Sequence, residues 1–471
     1  MLLRTWQAEC IELALARFGA GHKHTFVMAT PGGGKTTMAA ILCKTLFERN
    51  AIDLVVCFTP TTAVCLSFKE ELELRMSEPF DGRLGARGQV ITYQALSYLN
   101  ADFWRRFDHL KILIIFDEAH HCGGDTSETA TAWGDIILRE IRDRATYTLS
   151  LSGTPWRTDQ SPVTLAAYCS QQHKLQPDYV YGIQSAINDR VCRHPRITAI
   201  DNNAITLDED GATRSYNCIA QLLENETLPY QNLLESEPLV LYILQQAITK
   251  LDEVRRFNPN AGGLIVTSSV RHARFIERIM STSLNEDSLV ITHHDPRAHL
   301  SLKQYRASTK KWVISVGMIS EGTNIPRLQV CCHLSNIKTE LHFRQVLGRI
   351  MRVTSDDRHP FAYLFILAEK KLVEFAQHLA ADLPNESGML RIEDTSSTYP
   401  ASMPPQPPQI NKSDKDLNVS TVLINTLLSQ PPIGGSEESK SGNVSTAIEP
   451  TMFGRFLKQL VEIENMWSST S

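Results

Sequence analysis

Three groups of residues in this chain have types and spacings that could act on a triphosphate. The first is the string Ala29-Thr30-Pro31-Gly32-Gly33-Gly34-Lys35-Thr36, which follows a short apolar run and opens a helix-like stretch. Glycines let backbone N–H groups approach an anion with no Cβ in the way, and the helix that follows presents the positive end of its dipole. In such a loop Gly32, Gly33, Gly34 and the adjoining Thr37 would cradle phosphates. Lys35 would place a point charge on the outer phosphates, and Thr36 would offer a hydroxyl to Mg²⁺. The position that usually opens the pattern with glycine is Ala29 here. The second group is Asp117-Glu118-Ala119-His120, directly after the apolar run 112–116. A buried strand that ends in two acids sets carboxylates at the carboxyl edge of a parallel sheet, where ligands bind. Asp117 would hold Mg²⁺ through water and Glu118 would act as general base on an attacking water. The third is Gln345-Val346-Leu347-Gly348-Arg349-Ile350-Met351-Arg352. Gln345, Arg349 and Arg352 are four and three residues apart, so they share one helical face. Arginines reaching across a cleft would stabilise the negative charge that gathers on a γ-phosphate during its transfer.

Elements must exist to position these groups. Short apolar runs at 25–28, 54–58, 89–92, 112–116 and 146–151 alternate with helical patterns such as 36–49. A second series follows from about residue 240, with runs at 263–267, 289–292, 312–317, 330–335 and 362–367. Continuous apolar strands alternating with helices predict parallel sheets covered on both faces, hence an α/β fold with two domains of similar design. The 471 residues, 42% of them hydrophobic, can bury sizeable cores. A net charge of −5 excludes a protein held to nucleic acid by overall basicity, while the 47 Lys and Arg leave room for local basic strips such as Arg271 and Lys338. The ten cysteines contain no C-x-x-C pair, as expected of reduced thiols. His120-His121-Cys122 and His293-His294-Asp295 lack the separated spacing of zinc ligands. The absence of a leader-like or membrane-length apolar run predicts a cytoplasmic protein.

The expected organisation is a nucleotide-binding domain at 1–190, a polar connecting segment at 191–240, a second domain at 241–385, a low-complexity linker at 386–450 and a terminal helix at 451–468. The linker reading rests on five prolines within 399–409 and on the Ser- and Gly-rich stretch 434–443. The helix reading rests on the i, i+3, i+4 spacing of Phe453, Phe456, Leu457, Leu460, Glu464 and Trp467. Such a helix would pack on its own domain or dock a protein partner.

Further strings occur in a set order: Leu3-Arg4-Thr5-Trp6-Gln7, Phe58-Thr59-Pro60-Thr61, Ile91-Thr92-Tyr93-Gln94, Ser152-Gly153-Thr154-Pro155, Ile265-Val266-Thr267-Ser268-Ser269 and Ser320-Glu321-Gly322-Thr323-Asn324-Ile325-Pro326. With the three groups above, they make the chain resemble a superfamily 2 DEAD/DEAH-box helicase or translocase, nearest the restriction-enzyme motor and XPB-like branch. The resemblance covers about residues 1–370. It implies two tandem RecA-like parallel-sheet domains followed by a largely disordered tail ending in the helix, with ATP and Mg²⁺ as cofactors and nucleic acid as partner. By motif position it assigns Gln7 and Gly322 to the nucleotide. It assigns Thr59, Pro60, Thr92, Thr267 and Thr323 to nucleic-acid phosphates, and His120, Ser152 and Thr154 to coupling between the two. The chain departs from the family pattern at Asn324, where aspartate is common, and at Gly153, where alanine is common. The function implied is an ATP-dependent motor on nucleic acid, more on DNA than on RNA. An ATP-switched clamp or assembly factor that does not travel, and an RNA helicase, use the same residues and stay open alternatives.

Overall fold

The structure, a computed structural model, describes residues 3–124, 130–153, 161–169, 175–209, 212–292, 295, 297–316, 325–354, 359–381, 389–393, 450–452 and 454–462. The apolar runs of the first half become β1 His24–Ala29, β2 Leu54–Thr59, β3 Gly88–Thr92, β4 Ile112–Asp117 and β5 Tyr147–Ser152, joined by the short β6 Tyr179–Tyr181. They form one six-stranded sheet in the order β3-β2-β4-β5-β1-β6, parallel throughout. Every residue of β4 is buried. Leu113 and Ile115 join the core beneath α1 Thr5–Gly19, α2 Lys35–Glu48 and α3 Thr62–Met76, while Ile112, Ile114 and Phe116 join a second core on the other face. That division explains the unbroken apolar run: a strand covered on both sides has no solvent face to advertise.

The second sheet has eight strands: β7 His194–Asn202, β10 Gly262–Thr267, β11 Ser288–Thr292, β12 Trp312–Val316, β13 Leu328–Leu334, β14 Phe361–Leu367, β15 Met389–Glu393 and β16 Phe456–Glu462. A hairpin of β8 Ile205–Glu209 and β9 Ala212–Tyr216 stands beside it. The sheet order is β11-β12-β10-β13-β14-β7-β16-β15. The first six strands are parallel, whereas β16 runs antiparallel to β7 and β15 antiparallel to β16. Helices α4 Glu237–Arg255, α5 Val270–Thr282, α6 Glu340–Ile350 and α7 Lys370–Ala381 belong to this lobe. Two parallel-sheet α/β lobes are therefore present, as expected. Among the described residues no helix is long and apolar enough to cross a membrane.

Three expectations need correction. The segment 191–240 is not merely a connection, because it supplies β7, paired with β14 from His194↔Phe361 to Ile200↔Leu367. Its polar residues (Arg196, Thr198, Asp201) hid the strand, yet Ile197, Ala199 and Ile200 are buried. The terminal helix is instead the strand β16 over 456–462, while Phe453, Glu464 and Trp467 lie outside the described residues. Seven residues are too few for periodicity alone to separate helix from strand. The outer edge of β7 offers a row of backbone donors and acceptors that only an extended segment can pair, and Phe456 stacks on Tyr242 of α4 with ring centres 4.3 Å apart. Within the expected linker, residues 389–393 form β15, whereas 386–388 and 394–449 lie outside the described residues.

Candidate nucleotide cleft

The glycine-rich loop turns into α2 at Gly34, whose φ of 98° and ψ of 32° lie in the left-handed region that glycine enters without a Cβ clash. Two side chains at the start of α1 take up carbonyls of this loop. Arg4 Nη1 donates to Gly33 O at 2.6 Å and Gln7 Nε2 to Gly34 O at 3.0 Å, while Gln7 Oε1 accepts the Arg4 N–H at 3.0 Å. Lys35 Nζ donates to Ala29 O at 3.1 Å and lies 3.5 Å from Glu118 Oε1. Thr37 Oγ1 donates to Glu71 Oε1 at 2.8 Å, and Arg75 Nε donates to the same oxygen at 2.8 Å.

The acid pair sits where β4 ends. Asp117 is its last residue, and Glu118 follows with φ 51° and ψ 53°, a left-handed conformation that costs a non-glycine residue about 1–2 kcal/mol. Neighbours hold that turn. Tyr93 Oη donates to the Asp117 carbonyl at 2.9 Å, and the Gly153 N–H donates to Glu118 Oε2 at 3.3 Å. His120 Nδ1 is 3.4 Å from Glu118 Oε2 and 3.0 Å from Ser152 Oγ. Burial pushes the Glu118 carboxyl up, but Lys35, His120 and the Gly153 N–H together outweigh it and hold the group below the usual carboxylate range. Glu118 is thus a carboxylate at neutral pH, the form a general base needs.

The second lobe supplies the opposite wall. A cleft of about 370 Å³ is lined by Lys35, Thr36, Asp117 and Glu118 from the first lobe and by Gln345, Arg349 and Arg352 from the second. Gly32, Gly34, Thr37, Arg4 and Glu71 also line it. The lobes touch closely here: a Cβ on Gly348 would stand 2.6 Å from Pro31 Cβ, and one on Gly32 would stand 3.1 Å from Arg352 Cγ. Burial, then the like charge of Arg349, lower the Arg352 guanidinium from its usual pKa to about 9, against the pull of Cys192 and Glu118. It remains a cation at neutral pH, in surroundings that an anion would improve.

Parts of the chain are similar to known proteins. Residues 1–157 match the family described as type III restriction enzyme, res subunit. Over the larger part of the chain, a fragment structure assigned to the HsdR subunit of a type I restriction enzyme from Vibrio vulnificus superposes with a TM-score of 0.55 at 14% identity, covering 79% of this chain and 65% of that one. The ATP-dependent type ISP restriction-modification enzyme LlaBIII bound to DNA superposes at 0.50 and 14% identity, covering 81% and 30% respectively. The family match is thus confined to the first lobe, and the two solved structures share the fold of the larger part of the chain. An uncharacterized protein of Mycobacterium tuberculosis is 29% identical over 398 residues, and one of Mycobacterium leprae is 27% identical over 426 residues. The chain spans 63% and 68% of the length of these two relatives.

The residues expected to meet nucleic acid are placed unevenly. Thr59 is fully buried and its hydroxyl donates to Thr61 O at 3.3 Å. Thr267 is 2% exposed and donates to Ser315 O at 3.2 Å. Neither hydroxyl faces solvent, because each ends a strand with its side chain turned into the lobe. Pro60 lines the cleft between the lobes instead. Thr92 is half-buried at the end of β3. Thr154, Gly322, Thr323 and Asn324 lie outside the described residues. The charges of Arg271 and Lys338 are used locally: Arg271 donates to both Glu235 oxygens at 3.0 and 3.1 Å, and Lys338 pairs with Glu369 at 3.2 Å. Four residues about the cleft were not foreseen. Arg4 and Glu71 line it, Tyr93 braces the acid turn, and Arg193 lies behind the arginine helix. Arg4 and Tyr93 stand inside strings singled out in the sequence, whereas Glu71 and Arg193 stand in none.

Proposed function

We propose that this protein is an ATP-dependent motor on nucleic acid, with DNA the favoured substrate, and that ATP is hydrolysed between the two lobes. The observation that carries the reading is one cleft in which Lys35, Asp117 and Glu118 of one lobe face Gln345, Arg349 and Arg352 of the other. The cleft suits a triphosphate: it combines the N-terminus of the 14-residue α2, left-handed glycine at the loop and cations on both walls. Hard oxygen donors for Mg²⁺ are present in Thr36 and Asp117, and the ion would neutralise charge on the outer phosphate oxygens.

In this reading the loop N–H groups and Lys35 bind the phosphates. Glu118 takes the proton of the attacking water at a carboxylate oxygen that the Gly153 N–H and His120 hold in place. Arg349 and Arg352 stabilise charge on the γ-phosphate. Cleavage removes the anion that both walls grip, so the lobes part and rebind in a cycle. The DNA preference leans on the match to the restriction-enzyme res subunit and on LlaBIII, the neighbour bound to DNA. ATP hydrolysis measured with single-stranded DNA, duplex DNA and RNA, with Lys35→Ala as control, tests the proposal. Stimulation by DNA above RNA is expected; no stimulation by any of the three overturns it. Triplex- and strand-displacement assays then separate a travelling motor from a stationary clamp.

A further inference from the structure

Between the lobes the chain passes through two consecutive residues, Cys192 and Arg193, on its way into β7. Cys192 meets the glycine-rich loop, its Sγ donating to Pro31 O at 3.7 Å, and its backbone bridges to Arg352. Arg193 lies behind, 2% exposed. Its Nη1 donates to Ile350 O at 2.8 Å and to Leu328 O at 2.9 Å, and its Nη2 to Pro326 O at 3.3 Å. Its backbone N–H donates to Met351 O at 2.7 Å.

These partners are not scattered. Ile350 ends α6 and Met351 is its C-cap, so their carbonyls are among those a helix end leaves without a partner in the helix. Arg193 caps both, one through its side chain and one through its backbone. Arg352 is the next residue. Pro326 and Leu328 form the entry to β13, so the same guanidinium ties the end of the arginine helix to the sheet across sequence gaps of 133 to 157 residues. A buried cation costs several kcal/mol unless its donors are used, and the planar fork of arginine fixes the directions of those donors. The ammonium of lysine cannot span three carbonyls arranged for a fork.

We infer that Arg193 is a positioning residue for the reaction: by capping α6 and pinning it to the entry of β13, it sets where Arg352 enters the cleft. It does not touch the nucleotide. The inference rests on the hydrolytic reading of the cleft given above, and it extends that reading to a group no motif marks. A finger displaced by about 1 Å loses on the order of 100-fold in rate.

The test is a double-mutant cycle in the full chain, using Arg193→Lys, Arg352→Ala and the pair. Steady-state kcat and KM for ATP are measured with saturating DNA, and affinity is measured with fluorescent mant-ADP. Arg193→Lys alone is expected to lower kcat about 10- to 100-fold. Its mant-ADP dissociation constant should stay within about twofold of wild type. In the Arg352→Ala background the same change should cost less than about twofold, because the finger it positions is gone. Multiplying losses in the pair, or an unchanged kcat in the single variant, overturns the inference. Where Arg193→Lys does not fold by circular dichroism, Arg193→Gln enters the same cycle under the same criteria. Failure of both to fold overturns the positioning role in favour of a purely structural one. Absence of DNA-stimulated hydrolysis in the wild type would instead strike at the functional reading itself.

Discussion

The two walls of the cleft are built on different terms. The first lobe brings polar groups that partner one another: Lys35 with Glu118, His120 with Ser152, Thr37 with Glu71. Its geometry is settled within one sheet. The second lobe brings Gln345, Arg349 and Arg352 and, among its described lining residues, no carboxylate. Its cations sit beside the first lobe's loop and are held from behind by backbone carbonyls through Arg193. The difference teaches that one wall is set by contacts within its own lobe, while the value of the other depends on where it is held.

That contrast can be broken by measurement. If the proposed function holds, Arg352→Ala should lower DNA-stimulated kcat about 10³-fold or more while mant-ADP binding, which the proposal assigns to the first lobe, changes little. A loss of both together would erase the distinction between the walls. Glu118→Gln should lower kcat about 10²- to 10⁴-fold with ATP still bound, since the amide cannot accept the proton. Deleting residues 453–471 should lower the melting temperature of the second lobe by roughly 4 °C or more without weakening mant-ADP binding, because β16 is lost only from that lobe. Tyr93→Phe keeps the packing and removes the bond to Asp117 O, worth about 0.5–1.5 kcal/mol, so kcat should fall about 2- to 10-fold.

The smallest expected effect is in the acid response. In the second lobe His333 Nε2 and His342 Nδ1 lie 3.2 Å apart. Burial lowers His342 to about 4, and burial together with His342 lowers His333 to about 3. The unfolded chain protonates these rings near pH 6.5, so below that value it binds protons the fold refuses and stability falls. Glu118 acts lower: with its pKa depressed, its contribution is full above the ordinary carboxylate value and is lost only as pH drops beneath it. In the first lobe burial also lowers His24, whereas in the second it lowers His194 and His272 as well as the His333–His342 pair. Hydrogen exchange followed from pH 6.5 to 4.5 should therefore show the second lobe loosening more than the first. Equal loosening would refute the assignment.

Much of this was legible in the sequence because it is local. The phosphate loop, the acid pair and the arginine helix are strings of adjacent residues, and the strands that carry them are apolar without a break. What escaped notice depends on partners far along the chain. Nothing near Arg193 says that its guanidinium will meet carbonyls 133 to 157 residues away. Nothing near Tyr93 announces Asp117 as its partner. The burial of Thr59 and Thr267 escaped notice for a related reason: a motif fixes a residue's place on a strand, while the packing of helices over the sheet decides whether its hydroxyl points outward. The tail strand was mistaken for a helix because its apolar spacing fits both periods, and the free edge of β7 decided the matter.

The meeting of β7 with β16 also bears on how the polypeptide assembles as it leaves the ribosome. All six strands of the first sheet are complete once residue 181 has emerged. The inner neighbour of β7 arrives at Phe361 and its outer neighbour only at Phe456. The first lobe can therefore mature early, while the second carries an open β-edge until Phe456 has emerged. Nascent chains stalled between residues 370 and 450 are where chaperone engagement and misassembly should concentrate.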